Sequence, residues 1–434
     1  MQVCPPLRVP AICFLALSPV LWADCPAGLA ALEKQDYPSA LRQFTASSSE
    51  ACGQFNLGVL YERAQGVSQD FTKAYEWYGL AAAQGHAEAQ LALGVMHTEA
   101  EGVARDYLEA AKWFRLAGDQ GIADAQYHLG LFYREGRGVA RNYTEALSWF
   151  RKAAAQNVAG AQHYLGVMYH QCEGVPRDYT EALRWLRLAA AQEYAAAQAN
   201  LGVMYVQGEG VPKDLAEAVR LFRLAAEQGD AQAEYSLGDM YDLGQGVPQD
   251  DMQALKWYRA AADKGFAAAQ FNLGVMYREG QGVARDDRES LKWYRRAADQ
   301  GDAQARQILP ALYKESLEWL RTDADQGQPW AQNALGVVYA QGLGVSEDIN
   351  QAAKWWQLAA NQGDVQAQAN LGFLYESGNG VAQDNVQAFL WYSLVVAAYP
   401  GDTNALDGLR AVSKKLTPEQ LVQARNLVEA WHSK

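Results

Sequence analysis

Histidines, cysteines and carboxylates are the side chains of this chain that could bind a metal or transfer a proton. His163 and His170 lie seven residues apart on one predicted helix face, Cys172 is close to them, and His128 lies earlier in the chain. Imidazole and thiolate groups bind zinc, but the spacing here is loose and no carboxylate is fixed beside them. We therefore predict no metal site and no cofactor, and expect these histidines to face solvent or an interface between helices.

Acidic residues recur too regularly to indicate one catalytic centre. Asp70, Asp106, Asp250 and Asp286 occupy equivalent places along the chain. An aspartate at such a place can accept hydrogen bonds from the first backbone N–H groups of a helix. The sequence contains neither a nucleophile elbow nor a phosphate-binding loop. We predict that the protein is not an enzyme.

The first 23 residues have the pattern of a secretory signal peptide. Arg8 is their single charge, an apolar run of 14 residues follows it, and the small residue Ala23 precedes the expected cleavage point. The alternative is a buried or membrane helix, but the run is too short to cross a bilayer and two prolines interrupt it. We expect a periplasmic or secreted protein with no membrane span after cleavage.

Cleavage would leave three cysteines, Cys25, Cys52 and Cys172. Cys25 and Cys52 flank the first predicted helical hairpin and could form a disulfide in an oxidising compartment. The alternative is that all three are buried thiols.

The net charge is -13. Binding to nucleic acid requires an excess of lysine and arginine on some face, and no basic cluster is present. We therefore expect no nucleic-acid partner.

A leucine–glycine pair recurs at a fixed interval of 36 residues, lapses once, and then resumes with the same interval. Its leucines are Leu57, Leu93, Leu129, Leu165, Leu201, Leu237, Leu273, Leu335 and Leu371. Such an interval is typical of a repeat array, in which stacked units share one continuous core.

Each unit reads as two helices joined by a glycine-containing turn. In one complete unit, Ala269, Leu273 and Tyr277 form a stripe with the period of an α-helix. Gly280 is predicted to end that helix, and Asp286 to cap the second helix. A tryptophan on the second helix is predicted to fill the space between neighbouring hairpins.

The pattern A-x-x-x-L-G-x-x-Y-x-x-G-x-G-V-x-x-D-x-x-x-A-x-x-W-x-x-x-A-A-x-x-G resembles the Sel1-like repeat, a relative of the tetratricopeptide repeat. The resemblance covers about residues 51–400. It implies an all-α protein: a right-handed α/α superhelix, or solenoid, of about ten Sel1-like helical hairpins with terminal capping helices. It also implies an adaptor or scaffold, as in bacterial envelope, signalling and host-interaction proteins.

This pattern divides the chain into six predicted segments. They are a signal peptide (1–23), an N-terminal capping hairpin (24–50), a first block of repeats (51–306), a shortened irregular repeat (307–333), a second block of repeats (334–400) and C-terminal capping helices (401–434). In the last segment, Thr417 and Gln420 are predicted to form a capping box around Pro418.

The irregular repeat has lost its turn. Leu309 is in register, but Pro310 replaces the glycine. Because proline disrupts a helix interior, we predict a break at or before Pro310, followed by one continuous helix over Ala311–Asp323. The alternative is a tight turn near Lys314.

Two positions of the first helix, two residues before and five residues after the repeated leucine, hold different residues from repeat to repeat. We call each set of equivalent residues a column. Variation is expected where side chains face a particular partner, and the first helices of a solenoid usually line its concave face. The residues predicted to bind a protein or peptide there are Tyr127, Arg134, His163, His170, Tyr235, Asp242, Phe271 and Arg278. The alternative is a solvated face whose residues have varied freely, without a partner. The alternative function is an envelope or host-interaction factor that recognises a cell-wall or polysaccharide component.

Overall fold

Residues 25–432 are described by a computed structural model, and every regular element among them is an α-helix. The predicted all-α repeat architecture is confirmed. Contacts divide the chain into two compact units that meet in sequence at Ala225 and Ala226, named here unit 1 and unit 2. No described helix has both the length and the apolar content that crossing a bilayer requires. The signal peptide predicted for residues 1–23 lies outside the described residues.

Unit 1 consists of helical hairpins in succession. Its helices are α1 (Pro26–Glu33), α2 (Tyr37–Ala46), α3 (Ala51–Glu62), α4 (Phe71–Ala83), α5 (Ala87–Glu99), α6 (Tyr107–Asp119), α7 (Ala123–Glu135), α8 (Tyr143–Ala155), α9 (Ala159–Gln171), α10 (Tyr179–Ala191), α11 (Ala195–Gln207) and α12 (Leu215–Glu227), which ends just past the boundary.

Unit 2 continues with the same kind of hairpin. Its helices are α13 (Ala231–Leu243), α14 (Asp251–Asp263), α15 (Ala267–Glu279), α16 (Asp287–Asp299), α17 (Ala303–Glu315), α18 (Leu317–Asp325), α19 (Pro329–Gln341), α20 (Ile349–Asn361), α21 (Val365–Ser377), α22 (Asn385–Ala398), α23 (Thr403–Ser413) and α24 (Pro418–His432).

The recurring aspartates begin the second helices, as predicted. Asp106 accepts hydrogen bonds from the backbone N–H groups of Leu108 at 2.9 Å and Glu109 at 3.0 Å. The equivalent aspartates Asp250 and Asp286 accept two such bonds each, and Asp70 accepts one, from the backbone N–H of Lys73. The first helices commonly end on a left-handed residue, such as Gly136 with φ of 76°, where a side chain is disfavoured. These carboxylates therefore have a structural role.

The glycine inside each first helix allows the second helix to approach. A Cβ atom on Gly94 would lie 2.5 Å from the ring of Phe114, so no side chain fits there. Phe114 is the residue after the repeated tryptophan, a second aromatic place that the sequence pattern did not reveal. The tryptophan place itself behaves as predicted, since Trp149 of α8 packs into the apolar cluster of the preceding hairpin.

Pairs of glutamines connect the start of the first helix of a hairpin with the end of its second helix. Gln120 donates from Nε2 to Gln90 Oε1 at 2.8 Å, and the same bond recurs 36 residues later between Gln156 and Gln126 at 2.9 Å. Further pairs of this kind join Gln84 with Gln54, Gln192 with Gln162, Gln300 with Gln270, and Gln362 with Gln332. In the hairpin of α13 and α14, Lys264 Nζ and Glu234 Oε1 replace the two amides, 2.6 Å apart.

The predicted break at Pro310 is wrong. α17 runs through Pro310 and ends at Glu315, and Ser316 joins it to α18. A continuous helix over Ala311–Asp323 is therefore also wrong, and the alternative of a tight turn near Lys314 is confirmed. Burial explains the outcome, because Leu309, Leu312 and Tyr313 are all buried in one cluster that holds α17 in place. Their burial outweighs the roughly 3 kcal/mol that an interior proline costs a helix.

Both ends of the described chain consist of helices outside the 36-residue pattern. At the C-terminal end the capping box is confirmed: Thr417 N donates to Gln420 Oε1 at 3.0 Å, and Gln420 N donates to Thr417 Oγ1 at 3.3 Å. At the N-terminal end, Cys25 and Cys52 lie in one buried apolar cluster, and the structure has both as thiols. A disulfide between them under oxidising conditions stays a prediction.

Candidate protein-binding surfaces

In unit 1 the predicted binding residues are engaged by neighbouring repeats. Arg134 donates from Nε and Nη2 to Glu173 at 2.8 and 3.0 Å. One repeat later, His170 Nε2 lies 2.6 Å from Glu209 Oε2. In both pairs the acid belongs to the turn of the next hairpin. These column residues therefore connect one repeat to the next.

Tyr127 and His163 are also enclosed. A Cβ atom on Gly160 would lie 2.9 Å from the Tyr127 ring, and burial raises the pKa of the Tyr127 hydroxyl well above its usual range. Asn200 donates from Nδ2 to His163 Nε2 at 2.8 Å. Burial, and then the charge of Arg134, lower the pKa of His163 to about 4. His163 is therefore neutral at pH 7.

The histidines do not converge on a metal. His163 and His170 direct their Nε2 atoms to different partners, Asn200 and Glu209. Within residues 25–432, no three histidine, cysteine or acidic side chains are grouped as metal ligands.

In unit 2 the predicted residues surround buried tyrosines. The Tyr235 ring centroid is 5.9 Å from that of Tyr258, and the Tyr258 hydroxyl lies 3.4 Å from Asp242. The same hydroxyl donates to Asp239 at 2.6 Å. Burial raises the pKa of both carboxyl groups above the ordinary aspartate value. Sequence reasoning did not include Asp239 in this cluster.

The other two predicted residues of unit 2 lie further along the array. Phe271 packs against Tyr294 with ring centroids 5.3 Å apart. Arg278 donates from Nη2 to Glu315 at 3.1 Å, and this pair is largely accessible to solvent. Whether any of the eight column residues contacts a partner stays a prediction.

A groove of about 970 Å³ opens in unit 2, lined mainly by α17, α19, α21 and α23. We name it the unit 2 groove. Five carboxamide side chains line it: Asn333, Gln341, Gln366, Asn370 and Asn404. Asn333 stands two residues before the repeated leucine Leu335 and therefore belongs to one of the two variable columns. The groove as a whole was not predicted from the sequence.

One wall of the unit 2 groove contains a network of charges. Arg295 donates to Asp364 and also lies 3.7 Å from Asp299. Burial raises the pKa of Asp299 to about 6, although Arg295 opposes this shift. The network links α16 to the start of α21, across the irregular repeat. These ion pairs hold α16 and the start of α21 together at this wall of the groove.

Phe373 is the most exposed aromatic side chain lining the unit 2 groove, with 60% of its surface accessible. It stands two residues after Leu371, the repeated leucine of its unit, and six of the nine repeats have valine at this place. The sequence therefore contained a sign of this site, in a column that had not been considered variable.

The Sel1 repeat profile matches the chain nine times, over residues 53–302 without a gap and again over residues 331–394. The chain belongs to the Sel1 repeat family. Repeats of the Sel1 and tetratricopeptide type typically serve as protein–protein interaction scaffolds and are generally not enzymes.

Solved structures include similar Sel1 repeat proteins. A protective antigen of uropathogenic Escherichia coli strains with an SLR fold is 34% identical, with 91% of this chain and 94% of that one covered and a TM-score of 0.49. A Sel1 repeat protein from Oxalobacter formigenes is also 34% identical, with 56% of this chain and 96% of that one covered and a TM-score of 0.52. The comparison with curated proteins gives no match.

Proposed function

We propose that this Sel1 repeat protein is a non-enzymatic scaffold that holds a protein or peptide in the periplasm or outside the cell. The observation that carries the proposal is the contrast between constant and variable positions on the first helices. Leucine, glycine and the caps repeat every 36 residues, whereas the columns hold tyrosine, arginine, histidine and aspartate. Aromatic and arginine side chains on a rigid frame are typical of interface hot spots.

Arg278 and Asp242 are suitable column residues for a test. They lie in unit 2, one repeat apart, and neither is fully buried. Removing both leaves the net charge unchanged. The Glu109–Lys112 pair on α6 provides a matched control, because it also combines one acid and one base and lies on an exposed helix surface.

The test is affinity capture from periplasm and culture medium, followed by quantitative mass spectrometry and a binding titration with the captured protein. Wild type and Glu109→Ala/Lys112→Ala should retain a saturable partner, whereas Asp242→Ala/Arg278→Ala should bind it at least tenfold more weakly. Absence of any saturable partner would contradict the scaffold function. Equal binding by all three proteins would contradict the column assignment.

The predicted location has its own test. With a C-terminal tag, osmotic shock should release the protein, and N-terminal sequencing should begin at Asp24. Retention of residues 1–23 on a cytoplasmic protein would contradict the periplasmic or secreted location.

The polysaccharide alternative depends on solvent-facing tryptophans that could stack on sugar rings. Every tryptophan within residues 25–431 is at least partly buried. We therefore favour a protein or peptide partner.

A further inference from the structure

The carboxamides of the unit 2 groove are spaced for a peptide backbone. Asn333 and Asn370 lie on α19 and α21, the first helices of successive hairpins, and Asn404 lies on α23, which packs against α22 and α21. A carboxamide both donates and accepts hydrogen bonds, as a peptide group does. Packed helices lie about 8–10 Å apart, which is roughly the span of three residues of extended peptide. Carboxamides on adjacent helices would therefore meet every third residue of an extended segment.

Asn333 shows that the polar lining is not satisfied within the chain. Its residue is 4% exposed, and its Oδ1 atom has no hydrogen-bond partner among the described residues. A buried acceptor without a partner costs free energy that a ligand N–H would recover. The terminal torsion of asparagine is broad, so the amide can turn toward a ligand without leaving its rotamer.

The side of the groove formed by α21 and α23 combines an exposed aromatic ring with carboxylates. Phe373 lies on α21 together with Glu376, Asp402 caps α23, and Asp407 lies within α23. Glu376 accepts from Lys415 Nζ at 3.1 Å, and Asp407 accepts from Arg410 at 3.0 Å. The Asp407–Arg410 pair is largely exposed, so it contributes little free energy and a cation of a ligand can replace Arg410 there. A lysine or arginine can place its charge over an aromatic face and donate to a nearby carboxylate. Arg295, which comes from α16, is paired with Asp364 and is 12% exposed, so it is the less accessible charge of the groove.

We propose that the unit 2 groove binds an extended peptide segment, and that Phe373 with the carboxylates of α21 and α23 receives a lysine or arginine side chain of that segment. The inference rests on the proposed scaffold function, since it names the ligand class and the residues that select it. The carboxamides hold the main chain, and Phe373 supplies the selectivity.

The experiment is panning of phage-displayed random dodecapeptides on the full chain, followed by fluorescence titration of synthetic enriched peptides. We expect the enriched peptides to contain lysine or arginine. Phe373→Val/Asn370→Ala should weaken their binding at least tenfold. Valine is the usual residue at this place in the repeat, so the variant keeps a side chain that the fold accepts. Leu243→Ala is the control, because Leu243 is 63% exposed and lies outside the groove; its binding should stay within twofold of wild type.

Three outcomes would overturn the groove assignment. These are failure to enrich any peptide, enrichment of peptides without a basic residue, and equal binding to wild type and Phe373→Val/Asn370→Ala. Displacement of bound peptide by cell-wall oligosaccharides would also overturn it, in favour of a sugar site. The capture experiment separates this failure from failure of the scaffold function. A captured partner that binds the groove variant as tightly as wild type would leave the scaffold function standing and reject the groove.

Discussion

In unit 1 the variable columns are occupied by contacts between repeats, whereas in unit 2 the equivalent face opens into a groove. The Arg134–Glu173 pair has side-chain exposures of 18% and 17%, but the comparable Arg278–Glu315 pair has 38% and 61%. The same 36-residue repeat therefore produces two kinds of surface. In unit 1 the polar side chains of the columns are paired within the chain and poorly accessible, and in unit 2 the comparable ion pair is more accessible to solvent. Variation along a column does not by itself indicate a partner, because a variable residue can also be matched to the next repeat.

The units differ in backbone strain as well. Among the described residues, every non-glycine residue with positive φ lies in unit 1. Ala100 and Cys172 hold this conformation at helix ends, with φ of 64° and 63°. The equivalent ends in unit 2, such as Gly280 and Gly342, are glycines. Unit 1 therefore has less accessible ion pairs in its columns than unit 2, and its turns cost more conformational free energy because non-glycine residues adopt positive φ there.

Lowering the pH should produce the largest difference in stability between the two units. Burial lowers the pKa of His128 and of His163 to about 4. Each depressed pKa contributes stability that is present above the unfolded value of about 6.5 and is lost as pH falls toward 4, at most about 3 kcal/mol per histidine. In unit 2, burial raises the pKa of Asp299 to about 6, so that region should gain stability as pH falls through 6.

Hydrogen exchange at pH 7 and pH 4.5, corrected for intrinsic rates, measures both regions in one sample. Opening free energies should fall for α7 to α9 and should not fall for α16. The variant His128→Gln/His163→Gln should flatten the pH response of α7 to α9 while leaving α16 unchanged. An unaltered response in this variant would show that other groups carry the acid sensitivity.

Breaking one ion pair in each unit should have unequal effects. Glu173→Ala leaves the poorly accessible Arg134 without its acid and should lower the local opening free energy by about 2 kcal/mol. Glu315→Ala removes an exposed partner and should change it by about 0.5 kcal/mol or less. Urea denaturation combined with hydrogen exchange provides the measurement. Equal losses would mean that the two surfaces do not differ in the way described.

Relieving strain in unit 1 should stabilise it. Ala100→Gly places glycine in a left-handed conformation and should raise local stability by about 0.5–1 kcal/mol. Gly136→Ala is the reverse change at the same place of the next repeat and should lower it by a similar amount, because its Cβ would also approach Arg141 to 3.2 Å. Thermal and urea unfolding of both variants would test the pair, and a change of the same sign in both would contradict it.

The smallest effect on stability is expected in the groove. Phe373→Val restores the commonest residue of its column and exchanges one exposed side chain for a smaller one. Its unfolding free energy should stay within about 0.5 kcal/mol of wild type. A larger loss in urea denaturation would mean that Phe373 is part of the packed frame, and the contrast between the two units would weaken.

The fold was predictable because its determinants are local and repeated. Leu273, Gly274 and Asp286 each occupy a place whose role is fixed within one hairpin. Pro310 was misjudged because the local rule for proline ignored the burial of Leu309, Leu312 and Tyr313. The groove was harder to predict, because one of its walls is α23, which lies outside the repeat pattern. Phe373 alone could have been found, as the aromatic member of a valine-rich column.

The glutamine pairs have a consequence for how such a chain can lengthen. Each pair lies inside one hairpin, so a whole repeat can be copied or lost together with both of its amides. The Lys264–Glu234 pair differs, because a recombination between its two helices that kept one member would place a charged side chain opposite an amide. Genetic gain and loss of whole repeats should therefore be tolerated, and exchange of single helices between repeats should be tolerated at the glutamine pairs and selected against at this one.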